Sequence, residues 1–93
     1  MTDGMRTPRR LPWTGPEGKP AYLLTDGTGP LSRLVDAVDA RQLDMAAQLL
    51  VHAADLLGDP RATPDQLRYL LRCMHDALTD VHRIAENRHG ADR

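Results

Sequence analysis

The chain lacks phenylalanine and contains very little of several other residue types. Its 93 residues include one cysteine, one tryptophan and two tyrosines, so aromatic residues make up 3% of the sequence. A single cysteine, Cys73, excludes an intrachain disulfide, which is typical of proteins from a reducing compartment. No apolar run approaches the ~20 residues that a membrane-spanning helix needs. We therefore expect a cytoplasmic protein with no membrane segment.

An excess of charge of one sign is also missing. Twelve basic and 13 acidic residues give a net charge of -1. Nucleic-acid-binding proteins usually carry a strong positive field, so we do not expect nucleic acid as the partner. A chain of this length forms one domain with a small core, and such domains are often completed by a second copy or another protein.

The first 30 residues differ from the rest in composition. Residues 1–12 contain Arg6, Arg9 and Arg10 among prolines and polar residues, which predicts a flexible basic arm. Residues 13–30 hold many turn-forming residues around short apolar stretches, which predicts a turn-rich β-hairpin-like segment. An isolated hairpin is barely stable in water, so this segment must pack on another part of the protein.

After these segments the apolar residues recur every three or four positions, which is the period of an α-helix. The pattern predicts a helical hairpin over 31–88, with helices over 31–57 and 64–88 and a frayed tail over 89–93. The residues TPDQ at 63–66 predict a capping box. The short connection makes the helices antiparallel. The predicted fold class is mainly α: an antiparallel two-helix hairpin with a short N-terminal β-hairpin-like extension.

The two predicted helices differ in the amount of apolar surface that they carry. In the second helix the apolar residues fill one sector, which a single neighbouring helix covers. The first helix has a main stripe and a second apolar set on its flank and back. The N-terminal segment, a second copy or another protein must cover this second set. The predicted interface residues are Trp13, Tyr22, Leu43, Ala47, Leu50, Val51 and Ala54.

The polar residues of the first helix are interpreted as solvent-exposed. Gln42 falls in the main stripe, but we interpret it as a rim residue that contacts water. The aspartates are interpreted as members of surface ion pairs: Asp36, Asp39, Asp44 and Asp55. No pair of carboxylates has a reason to lie in a dry pocket, so general acid–base catalysis is not expected.

Three candidate chemical sites are weak. His75, His82 and His89 line one edge of the second helix, and Glu86 precedes His89 with the Glu-x-x-His spacing of di-iron bundles, but the chain has only two glutamates. Cys73 is interpreted as a half-buried structural thiol. The stretch GPEGKP does not have the spacing of a phosphate-binding loop. We therefore predict no metal, no cofactor and no enzymatic activity.

The stretch PWTGPEGKPAYLLTDGTGPLSRLVDAVDARQLDMAAQLL resembles a group of small actinobacterial proteins. These proteins share a Trp-Thr/Ser-Gly start, a Gly-Lys-Pro turn, an aromatic-leucine strand and two helices, and the likeness covers residues 12–88. They are often encoded beside helix-turn-helix regulators. The resemblance implies an accessory regulatory role, but it implies no activity, ligand or catalytic residue.

One functional hypothesis and two alternatives follow. We expect a non-enzymatic protein–protein interaction or accessory regulatory protein that acts through an apolar helix face. It is expected to form a homodimer with a four-helix-bundle core and to bind a protein such as a transcription regulator. The first alternative is a small DNA-associated protein that uses its N-terminal arginines as an arm. The second is a metal-binding helical bundle around His75, His82 and Glu86.

Overall fold

The computed structural model describes residues 7–25 and 27–91, with side chains up to residue 88. Its elements are, in chain order, strand β1 (Thr7–Thr14), strand β2 (Pro20–Thr25), helix α1 (Pro30–Leu57) and helix α2 (Pro64–Ala91). The mainly helical class and the short two-stranded antiparallel sheet are confirmed. The molecule is elongated, with extents of 61 × 27 × 23 Å.

Strands β1 and β2 form an antiparallel hairpin in which Arg10 lies opposite Tyr22. The connecting loop is closed by a hydrogen bond of 2.7 Å from the backbone N–H of Gly15 to the carbonyl of Lys19. Gly18 in this loop has a φ of 72°, a left-handed value that glycine adopts without steric cost. The turn residues of the sequence therefore reverse the chain between the two strands.

The structure differs from the sequence-based prediction near the N-terminus. The flexible arm predicted over 1–12 does not hold for 7–12, because these residues belong to β1. Leu11 is buried and Arg9 is ion-paired, so both side chains fix the strand to the helices. Residues 1–6 lie outside the described part of the chain.

The helices begin and end close to the predicted residues. The capping box of α2 is confirmed, since the N–H of Thr63 donates to Gln66 Oε1 at 2.9 Å and the N–H of Gln66 donates to Thr63 Oγ1 at 3.1 Å. The frayed tail predicted over 89–93 does not hold as far as Ala91, where α2 ends. The last two residues lie outside the described part.

The two helices pack antiparallel around a narrow core. Gln42 in α1 contacts Arg83 in α2, whereas Leu56, further along α1, shares a groove with Leu70, which comes earlier in α2. Five hydrophobic residues of the described chain are buried: Leu11, Val35, Ala53, Leu70 and Ile84. Because the stability of a short chain depends on buried apolar area, a core of this size stabilises a monomer only weakly.

The β-hairpin packs against the open end of the helical hairpin, where α1 begins and α2 ends. Leu11 of β1, Val35 of α1 and Ile84 of α2 are all buried at this end. The side-chain amide of Asn87 accepts a hydrogen bond from the N–H of Arg10 and donates one to its carbonyl, both at 2.9 Å. The hairpin is therefore bound by apolar burial and by backbone hydrogen bonds.

Candidate functional site

The second apolar set of the first helix, which the sequence predicts to need a cover, is exposed. Leu50 and Val51 are each 65% exposed, and the neighbouring Ala47 and Ala54 are exposed as well. Leu43 is partly covered, because it lines a depression beside β1. The hypothesis that the N-terminal segment covers this set is therefore wrong for all but Leu43.

Helix α2 also exposes apolar residues, so the prediction that α1 covers its whole apolar sector is wrong. Leu71 is 69% exposed and Leu78 is 68% exposed, and Leu67 is exposed too. Their spacing of four and seven residues places these leucines on one side of α2. Helix α1 covers the middle of the sector, where Leu70 and Ile84 are buried, and leaves this flank in water.

The exposed flanks of the two helices form one surface, which we name the outer apolar face. It lies on the side of the helical hairpin away from Met45 and Asp76, which line the groove between the helices. On each helix its members alternate at spacings of three and four residues, as the a and d positions of a heptad repeat do. They are Leu43, Ala47, Leu50, Ala54 and Leu57 of α1, and Leu67, Leu71, Met74, Leu78 and Val81 of α2, none of which is buried.

Charged residues lie along the two edges of the outer apolar face. At 100° per residue, Asp44 and Asp55 fall on the edge formed by α1, whereas Arg68, His75 and His82 fall on the edge formed by α2. All five side chains are exposed. The face therefore has an edge with two aspartates and an edge with one arginine and two histidines.

The groove on the opposite side has a volume of about 510 Å³ and a mostly apolar floor. Cys73 lies in it and is partly buried, as predicted. Burial raises the pKa of Asp80; the charge of Arg83 opposes this rise, and the charges of Asp76 and Asp39 add to it. The lining residues are Gln42, Met45, Gln48, Leu49, His52, Cys73, Asp76, Ala77 and Asp80.

The predicted interface residues Trp13 and Tyr22 are exposed on the β-hairpin. Trp13 lines a small depression together with Thr79 and Asp80, at the end of the groove. The structure therefore places Trp13 on the groove side of the protein, away from Leu50 and the rest of the outer apolar face. Trp13 therefore does not share a surface with Leu50 and its neighbours, with which the sequence predicts it to form one interface.

A buried ion-pair network, which the sequence pattern does not indicate, joins β1, α1 and α2. Asp39 Oδ1 and Arg83 Nη1 lie 3.0 Å apart, and each residue is 6% exposed. Arg9 Nη2 donates to Asp39 Oδ2 at 2.8 Å and lies 2.7 Å from Asp36 Oδ1. Arg83 also donates to the side-chain carbonyl of Gln42. The interpretation of Asp39 as a surface residue is therefore wrong, whereas Gln42 is half-buried at the groove and also binds Arg83.

The network holds Arg9 as a partly buried cation, with 18% of its side chain exposed. Burial lowers the pKa of Arg9, but the hydrogen bonds to Asp39 and Asp36 and their negative charges outweigh it, so the pKa is raised. One feature of the sequence could have indicated this network: Asp39 lies four residues after Val35 and four before Leu43, so it shares their side of the helix. A charge on this side of the helix is buried, and a buried charge needs a partner.

The histidines of α2 lie in solvent beside carboxylates. His75 Nδ1 is 3.4 Å from Asp76 Oδ1, and His82 Nε2 is 3.5 Å from Glu86 Oε1. The side chain of His89 lies outside the described part of the chain. Within the described residues, no three histidine, cysteine, aspartate or glutamate side chains are grouped so that they could hold a metal ion.

Comparison with known proteins gives no relative. The sequence matches no protein-family model, and no curated protein or solved structure matches it significantly. The resemblance to small actinobacterial proteins therefore stays a prediction. Neither helix, over the residues that the structure describes, is long and apolar enough to cross a membrane.

Proposed function

We propose that the protein is a non-enzymatic protein–protein interaction protein that acts through its outer apolar face. The observation that carries this proposal is a flank of exposed leucines on both helices, with Leu50, Leu71 and Leu78 each at least 65% exposed. Burying a leucine side chain contributes about 1.5–3 kcal/mol. Contiguous apolar patches of this kind mark interaction sites on soluble proteins.

The partner that we propose for the outer apolar face is a second copy of the chain. Two helical hairpins packed face to face form a four-helix bundle, which is a stable arrangement for helices with wide apolar sectors. The dimer supplies the core that the monomer lacks. The groove, Trp13 and Tyr22 stay on the outside, where they offer a second surface. The resemblance to proteins encoded beside helix-turn-helix regulators favours a transcription regulator as its partner.

The two alternative functions have less support. A DNA-binding arm needs arginines that are free to reach phosphates, but Arg9 is partly buried and ion-paired with Asp36 and Asp39. A metal site needs converging ligands, but His75 and His82 are seven residues apart on one helix, or about 10 Å along its axis. We therefore propose neither of these functions.

The molar mass in solution, measured by light scattering on a sizing column, tests the proposal. We expect twice the 10.3 kDa of one chain for the wild type. Leu50→Glu and Leu71→Glu introduce a carboxylate into the outer apolar face and are expected to give monomers or unfolded chains. Met45→Glu is the matched control, since Met45 is 54% exposed but lines the groove, and it is expected to stay dimeric.

Two results would contradict the proposal. The first is a wild-type protein that stays monomeric at concentrations of tens of micromolar. The second is a dimer that Met45→Glu disrupts as strongly as Leu50→Glu does, because the groove side would then form the interface. Circular dichroism of each variant separates loss of association from loss of helical structure.

A further inference from the structure

We infer that the two copies pack with their two-fold axis parallel to the helices, so that α1 of each copy lies on α2 of the other. This inference rests on the proposed function, because it specifies how the proposed dimer is built. In a dimer with a two-fold axis, the same surface of each copy forms the interface. An axis along the helices places α1 on the partner's α2, whereas an axis across them places α1 on α1 and α2 on α2.

The first argument concerns the height of each residue along the bundle. Within one chain Gln42 contacts Arg83, and Leu56 shares a groove with Tyr69 and Leu70, so one step forward in α1 corresponds to one step back in α2. Rotation about an axis parallel to the helices leaves every height unchanged. The same correspondence therefore holds between α1 and the partner's α2. It places Leu43 level with the partner's Val81, Ala47 with the partner's Leu78, and Leu50 with the partner's Met74. Further along, Ala54 lies level with the partner's Leu71 and Leu57 with the partner's Leu67.

Two of these five levels match a small side chain with a large one. Ala47 faces the partner's Leu78, and Ala54 faces the partner's Leu71. Facing positions that combine a small and a large residue interdigitate at the density of a protein core. With α2 on α2, two large residues (leucine, methionine or valine) would face each other at every level, while both alanines of each copy would lie between α1 and α1. The two helix pairs would then need different separations within one interface.

The second argument concerns the charges at the edges. Asp55 on the α1 edge lies level with the partner's Arg68, an opposite charge, and Asp44 lies level with the partner's His82, a ring that can donate a hydrogen bond to a carboxylate. Pairing α1 with α1 would instead align the acidic edges with each other. Complementary charges across an interface stabilise one arrangement, and like charges destabilise the other. Charge and side-chain size therefore favour the same axis.

The size of the contact is sufficient for a specific dimer. Leu43 and Leu57 are about 21 Å apart along α1, at 1.5 Å per residue, and two adjacent helices are about 20 Å wide. Association of two such faces removes on the order of 800–1,000 Å² of accessible surface from water, which lies at the lower limit for a specific interface. Both helices of each copy contribute to this area.

Chemical cross-linking tests the arrangement. In a Cys73→Ser background, Val51→Cys and His75→Cys place thiols on the two opposite outer edges of one hairpin, too far apart to be linked within a chain. With α1 on the partner's α2, Val51 lies beside the partner's His75. We expect a short bismaleimide to convert the double variant into covalent dimers, and to leave each single variant uncross-linked.

The outcomes separate this inference from the proposed function. Suppose that the molar mass is that of a dimer. If a single variant forms covalent dimers, or if none of the variants does, the arrangement is wrong but the proposed function stands. A monomeric wild type would overturn the proposed function and the arrangement together. Each thiol replaces an exposed residue, so the variants are expected to keep the fold.

A charge reversal gives an independent readout. Asp55→Arg places an arginine beside the partner's Arg68 and is expected to raise the dissociation constant about fivefold. Adding Arg68→Asp restores an opposite pair in each interface and is expected to recover most of this loss. A double variant that associates no more tightly than Asp55→Arg would contradict the pairing of α1 with the partner's α2.

Discussion

Asp39 of α1 and Arg83 of α2 face each other at 3.0 Å, and both are almost fully buried. Arg9 of β1 contacts the same carboxylate from the other side, at 2.8 Å. Three elements that are distant in the sequence therefore meet at one aspartate. Removing one member of a buried ion pair is costly, because it leaves the other charge without a partner in a place that water does not reach.

Asp39→Asn is therefore expected to lower the free energy of unfolding by about 3 kcal/mol. Asp36→Asn is the matched control, because it removes another carboxylate from Arg9 but one whose side chain is 59% exposed. We expect it to lower the free energy of unfolding by less than about 1 kcal/mol. Urea denaturation at neutral pH, followed by circular dichroism, measures both; equal losses would show that burial of Asp39 is not the cause.

Leu11→Ala is expected to lower the free energy of unfolding by about 2–3 kcal/mol and to loosen the β-hairpin from the helices. The reason is that Leu11 is buried between β1 and the helical hairpin. Leu24→Ala on β2 is the control, since Leu24 is exposed. Amide hydrogen exchange of β1 and β2 is expected to accelerate in the first variant only. Unchanged exchange in Leu11→Ala would mean that other contacts hold the hairpin in place.

Thr63→Ala removes one side of the capping box of α2 and is expected to cost about 1 kcal/mol of stability. Thr79→Ala on the same helix is a suitable control. Its hydroxyl donates to the carbonyl of His75 at 2.8 Å in solvent, so its loss is expected to change stability by less than about 0.5 kcal/mol. Thermal unfolding of the two variants gives the comparison, and a larger effect of Thr79→Ala would contradict the role of the cap.

Asp80→Asn is expected to stabilise the protein at pH 7. Burial raises the pKa of Asp80 in the folded state, so the ionised carboxylate opposes folding at neutral pH. Because the side chain is partly solvated, the gain is expected to stay below about 1 kcal/mol. Below the ordinary aspartate pKa of about 3.9 the carboxyl is protonated in both states, and the difference from the wild type disappears. Urea midpoints at pH 7 and pH 3 test this; a gain that persists at pH 3 would exclude ionisation as the cause.

The local features of the fold are predictable from the sequence. The three-and-four spacing of apolar residues predicts both helices, and Thr63 and Gln66 predict the start of α2. Each prediction depends only on interactions between residues a few positions apart. The turn around Gly15 and Gly18 gives the β-hairpin for the same reason. The length of β1 is less predictable. In the sequence alone Arg9 and Arg10 are typical of a solvated arm, and only the structure shows that Asp36, Asp39 and Asn87 bind this segment.

The contacts between distant elements are not predictable in the same way. Asp39 looks like its exposed neighbours on α1, and only the approach of Arg9 and Arg83 makes its burial possible. The periodicity of α2 gives the width of its apolar sector but not the fraction that α1 covers, so the exposure of Leu71 and Leu78 depends on the packing of the two helices. The candidate site consists of residues that this packing leaves uncovered.

Asn87 takes the place of a third strand beside β1. Its amide binds the N–H and the carbonyl of Arg10, the same two groups that an added strand would use. Exposed strand edges recruit further strands and begin aggregation, and proteins protect them in various ways. Here a helix side chain protects the edge. At high protein concentration, the strand of another molecule therefore cannot pair with β1 at Arg10.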